Sequence, residues 1–141
     1  MPVSQWRRRR GAEACVVVAG TLVSVVDDDV SVRESLPDLL RSYGFEVAPF
    51  ASAEDFLASA GLGRTHCLIL DIAMPGMTGP ELQDELRRRR HDIPIVFITA
   101  RSDDRIIARL LENGAVACLS KPLGEAALLE AVNAAIGAGG G

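Results

Sequence analysis

A chain of 141 residues, 48% of them hydrophobic, is long enough for one domain with its own core and too apolar to be disordered. Its formal net charge of −4 offers nothing in total to attract nucleic acid. The three cysteines, Cys15, Cys67 and Cys118, are odd in number and match no zinc spacing, which argues for reduced thiols in a cytoplasmic protein and against a disulfide framework.

The arginines at 7–10, followed by the apolar stretch 14–26, imitate a secretory signal. No small-residue cleavage box follows, however, and the stretch closes directly on Asp27-Asp28-Asp29. At about 13 residues it is also too short to cross a bilayer, so no membrane association is expected. Residues 1–20 read as a flexible leader, 21–137 as the domain and 138–141 as a flexible tail.

Five apolar runs alternate with five helical periods. The first strand is read at 21–26. The helix after it, 30–43, repeats Val32, Leu36, Leu39, Leu40 and Tyr43 at helical spacing, and Gly44 caps its C-terminus. Pro37 inside that helix removes a backbone donor and is expected to kink it. The second strand is read at 45–50, and Ser52 caps the next helix with Asp55 at capping-box spacing. The third strand, 67–71, leads into a loop at 72–78 holding Pro75 and Gly76.

Pro80 opens the third helix as a first-turn proline. The arginines at 87–90 read as that helix's solvated end, favoured by its dipole, and not as a nucleic-acid patch. The fourth strand is read at 95–99. Ser102 is expected to cap the fourth helix, which Gly114 ends, and the fifth strand and helix follow at 115–120 and 124–136. On helix four, Ile106, Ile107, Leu110 and Leu111 span an arc of about 140°, wider than a minimal buried stripe. Either the helix is well covered or part of that face serves a partner. The first, third and fourth runs are near-continuously apolar, as in strands buried on both faces. Strand–helix alternation with short connections predicts a doubly wound, five-stranded parallel α/β sheet.

Such sheets bind ligands at the carboxyl ends of their strands. Here those ends carry Asp27 and Asp28 after strand one, Asp71 after strand three, Thr99 after strand four, and Lys121-Pro122 after strand five. Clustered carboxylates raise one another's pKa, a penalty that a bound cation removes. An all-oxygen set with few protein ligands suits Mg²⁺, which keeps waters and shares phosphate oxygens. Asp71 is the candidate nucleophile toward phosphorus, as a carboxylate that carries an aspartyl-phosphate. Phosphoryl transfer demands mainly positioning and charge neutralisation, which the Lys121 ammonium and the Thr99 hydroxyl would supply beside the cation.

The segments 25–33, 68–79, 94–100 and 114–122, taken together and in this order, resemble the receiver domain of two-component response regulators, the CheY-like superfamily. The match runs from about residue 21 to 136 and implies a flavodoxin-like (βα)5 fold with strand order 2-1-3-4-5, for which CheY is itself a standard example. It further implies that a sensor histidine kinase or phosphotransfer protein phosphorylates Asp71. Asp28, Asp71 and the backbone carbonyl of Ala73 would ligate Mg²⁺ directly, and Asp27 would act mostly through water. Thr99 and Lys121 would hold the phosphoryl group, Thr99 moving toward it to report occupancy. The added charge would then bias a surface formed by helix four and strand five, the route to a homodimer or a downstream protein.

One position departs from the family pattern. Three residues before the lysine, where an aromatic ring usually rotates inward, stands Cys118. It reads either as a small core filler or as the mark of an altered switch. Ala73 and Arg101 occupy the positions that tune water access to the phosphoryl group, the first leaving room and the second able to block water or recruit anions.

The reading is therefore a phosphoacceptor receiver that assists its own phosphorylation and dephosphorylation but is not an enzyme by role. With no second domain read after residue 136, the expectation is a stand-alone receiver signalling by protein contact, or else a piece of a longer regulator. The alternative is a pseudo-receiver that binds proteins without phosphorylation. A haloacid-dehalogenase-type phosphatase would need a second Asp where Ala73 stands. A flavodoxin-type cofactor binder would need a donor-rich loop where the aspartates at 27–29 repel phosphate.

Overall fold

Every site residue read from the sequence hangs on one sheet, which in the computed structural model pairs in the order β2-β1-β3-β4-β5 with all neighbours parallel. The structure describes residues 20–101 and 103–140. The strands are β1 (Leu22–Val26), β2 (Glu46–Phe50), β3 (Cys67–Asp71), β4 (Ile95–Thr99) and β5 (Ala117–Ser120). The helices are α1 (Val30–Ser42), α2 (Ala53–Leu57), α3 (Gly79–Arg88), α4 (Asp104–Glu112) and α5 (Glu125–Gly140). The order 2-1-3-4-5 is the one the resemblance implied.

The period of two along each strand sorts the core into two layers. Val23, Val25, Cys67, Ile69, Val96 and Ile98 point to one face, where they pack with Leu36 and Leu40 of α1 and with Leu128 and Val132 of α5. Val26, Leu68, Leu70 and Phe97 point to the other, against Phe56 of α2, Leu82 and Leu86 of α3, and Leu110 of α4. β1, β3 and β4 are buried at every position, which is why their sequences read as near-continuous apolar runs. The outer strands β2 and β5 are only partly covered, consistent with their place at the sheet edges. Pro49 sits on the edge strand β2, where its missing donor is tolerated.

Several boundaries differ from the sequence reading, each for a local reason. β5 begins at Ala117, two residues late, although Val116 already donates to the Ile95 carbonyl. α2 is only five residues long, and Ser52 caps it by accepting the Asp55 N–H. α1 runs through the buried Pro37 to Ser42. α5 continues past Ile136 to Gly140. α4 takes Asp103 as its N-cap, its carboxylate accepting the Arg105 and Ile106 N–H groups. The expected cap Ser102 lies outside the described residues, as do Cys15, the arginines at 7–10, Gly141 and residues 1–19 of the expected leader. Among the described residues no helix is long and apolar enough to cross a membrane.

Candidate functional site

Three aspartates follow β1 in sequence, and the fold gives each a different task. Asp29 is the N-cap of α1: its carboxylate accepts the Ser31 N–H at 2.9 Å and the Ser31 hydroxyl at 2.8 Å, and these bonds hold its carboxyl below the ordinary range. Asp27 is fully buried, with one oxygen accepting the Asp29 N–H at 2.9 Å. Arg33 of α1 donates to the Asp27 carbonyl at 3.0 Å and fastens the turn from behind. Asp28, between them, is exposed.

Asp71 ends β3 and is 5% exposed. Oxygens of Asp27, Asp28 and Asp71 lie within 4.8 Å of one another, the only such acidic group among the described residues that is large enough to hold a metal ion. The Lys121 ammonium, just past β5, stands 2.9 Å from Asp27 Oδ2 and 3.9 Å from Asp71 Oδ1. Burial pushes the Asp71 carboxyl up to about 6; the Asp27 charge adds to the rise and Lys121 opposes it. For Lys121, burial lowers the pKa, but the bond to Asp27 and the surrounding carboxylates outweigh it and hold the ammonium firmly charged.

Thr99 ends β4, with its hydroxyl donating to the Arg101 carbonyl at 2.6 Å and accepting the Arg101 N–H at 3.1 Å. That hydroxyl must release the β4–α4 loop before it can donate elsewhere. Asp71, Ala73, Thr99, Arg101 and Lys121 line one cavity of about 360 Å³, walled on its far side by Ile106 and Ile107 of α4.

The cluster fits a hard divalent cation on its own chemistry. The donors are all oxygen and two of the three are buried. Asp27 Oδ2, also buried, has no hydrogen-bond partner beyond its ion pair with the Lys121 ammonium. The loop from β3 to α3 is seated by backbone approach. Gly79 donates to the Ile72 carbonyl at 3.0 Å, and a Cβ there would stand 2.4 Å from the Asp71 carbonyl oxygen. The capping box between Thr78 and Glu81 fixes the start of α3. Its Thr-x-x-Glu spacing was visible in the sequence but overshadowed there by Pro80.

Cys118 is half-buried on the edge strand opposite Phe97, and Cys67 lies in the core. Burial raises both thiols, Cys67 to about 12, so neither is a ready thiolate. At the end of α3, Arg88 and Arg89 both pair with Glu85, as expected of a solvated helix end. On α4 only Leu110 is buried, while Ile106 and Leu111 are 42% and 43% exposed, so part of the apolar face is uncovered.

The response regulator receiver domain model matches residues 23–133, and the chain belongs to that family. It is a receiver domain of two-component response regulators: a signalling domain whose family binds Mg²⁺ at this acidic pocket and acts between histidine kinases and effector partners. Nodulation protein W of Bradyrhizobium diazoefficiens is 44% identical over 130 residues, covering 92% of this chain and 56% of that protein. The transcriptional regulatory protein TdiR of Thauera aromatica is 44% identical over 115 residues, covering 81% and 50%. The solved structure of response regulator StyR has a TM-score of 0.79 at 47% identity and covers 85% of this chain and 61% of that one. The chain thus spans about half the length of the curated relatives it matches.

Proposed function

We propose that this domain accepts a phosphoryl group on Asp71 from a sensor histidine kinase or phosphotransfer protein, in a Mg²⁺-dependent reaction, and passes the signal on by protein contact. The observation that carries this reading is the meeting of a buried carboxylate of raised pKa, two further carboxylates and one ammonium at three strand ends. Asp28, Asp71 and the Ala73 carbonyl would hold Mg²⁺, with Asp27 acting through water. When bound, the ion neutralises charge on the carboxylates and on the incoming phosphoryl oxygens.

An Asp71 Oδ forms the new bond to phosphorus as the bond from phosphorus to the donor's imidazole nitrogen breaks, returning the electron pair to the donor. Lys121, already 3.9 Å from Asp71 Oδ1, stays with the transferred oxygens as a point charge. Thr99 exchanges its bond to Arg101 for one to the phosphoryl group, which frees the β4–α4 loop. The partly uncovered α4 face, with β5, is the outlet toward a second copy or a downstream protein. Free thiols at Cys67 and Cys118 support a cytoplasmic location for this role, which is signalling and not catalysis on other molecules. Arg101 at the cavity mouth and Ala73 together would set how readily water reaches the phosphoryl group.

The test is intact mass after incubation with Mg²⁺ and phosphoramidate. A gain of one phosphoryl mass is expected in the wild type, absent in Asp71→Asn and absent without Mg²⁺. Failure of the wild type to gain mass or to bind beryllofluoride would overturn the phosphoacceptor reading and leave a protein-binding pseudo-receiver.

A further inference from the structure

The β3–α3 loop bears Ala73, and something outside the acidic cluster holds that loop. α2 is a short helix, yet its Glu54 reaches across 23 residues of sequence to accept the Met77 N–H at 3.1 Å. The same carboxylate lies directly over Gly76: a Cβ on Gly76 would stand 2.9 Å from Glu54 Oε2 and 3.7 Å from both Oε1 and Cδ. Gly76 has φ +76°, a region that L side chains rarely adopt, so its glycine serves the turn and the approach of Glu54 together.

The loop is therefore tied at three points. At its base Gly79 donates to the Ile72 carbonyl, at its exit the Thr78–Glu81 capping box closes, and at its tip Glu54 takes Met77. The first two ties belong to α3 and to the strand. The third is the only one among them made by another helix, α2, and it restrains the loop that bears Ala73.

We propose that Glu54 is a positioning residue for the phosphoacceptor site: by pinning Gly76–Met77 it fixes the loop that presents the Ala73 carbonyl beside Asp71. This rests on the reading of Ala73 as a Mg²⁺ ligand. Glu54 touches neither Asp71 nor the reacting atoms, so its effect falls on the order of the loop and, through it, on cation affinity. Loss of one solvent-exposed hydrogen bond to a backbone N–H weakens such an arrangement by about three- to tenfold.

The experiment compares wild type, Glu54→Ala and Glu54→Gln by calorimetric Mg²⁺ titration, by Mg²⁺-dependent phosphorylation with phosphoramidate, and by hydrogen exchange at the Met77 amide. Glu54 is exposed and its helix is anchored by buried Ala53 and Phe56, so the variants keep the fold, which urea unfolding checks. Glu54→Ala is expected to weaken Mg²⁺ three- to tenfold and speed Met77 exchange, leaving the phosphorylation rate at saturating Mg²⁺ within about twofold. Glu54→Gln keeps an acceptor oxygen and should recover most of both effects. A merely structural role would lower the urea midpoint without this recovery. Folded Glu54→Ala with Mg²⁺ affinity and Met77 exchange both at the wild-type level would overturn the proposal while leaving the site reading intact. A wild type that neither binds Mg²⁺ nor takes up phosphate would overturn the site reading, and this inference with it.

Discussion

Asp71 is held where a carboxylate is least at ease, buried and beside a second buried acid. Its pKa, pushed up to about 6 from an ordinary 3.8, means the folded state binds this proton more tightly than the unfolded chain does. The stability contributed by the protonated form is fully present below pH 3.8 and is lost as pH rises through 6. In metal-free protein, Asp71→Asn should therefore be more stable than wild type at pH 7.5, by about 1–3 kcal/mol, and the advantage should shrink toward pH 5. Paired urea titrations across that range check this; an advantage that grows toward acid would contradict it. Saturating Mg²⁺ should narrow the gap, because it stabilises the wild type by mass action and finds fewer ligands in the variant. Asp71, Asp28, Thr99 and Lys121 were all legible as strand-end residues, and the structure brings them together. The capping duty of Asp29 was not read from the sequence, because in a run of three aspartates nothing local separates cap from ligand. The ion pair of Asp27 with Lys121 joins residues from opposite ends of the domain, and no spacing rule reports such a meeting.

At the scale of elements, the approach of α3 to β3 is the tightest constraint. A Cβ at position 79 would meet the backbone carbonyl of Asp71, which cannot swing aside as a long side chain would. Gly79→Ala should cost about 1–3 kcal/mol, as overpacking does, and should also slow phosphorylation of Asp71, because the displaced backbone is the acceptor's own. Gly63→Ala, where a Cβ meets nothing within 4 Å, is the control expected to change neither the urea midpoint nor the phosphorylation rate. β3 and β4 fall where the apolar runs placed them, because strands buried on both faces are hydrophobic up to the polar residue that ends each one. β5 was over-read by two residues: Ala115 is buried and Val116 already bonds to β4, so the apolar signal starts before the strand does. The tie from Glu54 to Met77 left no mark in the sequence, since a glutamate in the first turn of a helix is accounted for by the helix alone.

At the scale of the whole molecule, cavity and outlet share a wall. Ile106 lines the cavity that holds Asp71 and is also 42% exposed, so under the proposed function a shift of the β4–α4 loop would reach the surface through this side chain. With Mg²⁺ and beryllofluoride as a phosphoryl mimic, sedimentation should show self-association. Leu111→Asp, on the exposed face and away from the cavity, should abolish it while leaving beryllofluoride affinity unchanged; a monomer under all conditions would send the signal to a different protein. The sheet order has one more effect. The acidic pair, the acceptor, the hydroxyl and the ammonium come from β1, β3, β4 and β5, and no two neighbouring segments of chain contain them all. Under the proposed function, a truncated, clipped or half-folded copy would expose Asp71 without the charges that phosphoryl acceptance needs. On that reading, competence to receive the message would certify complete folding, and damaged copies would fall silent instead of sending false reports.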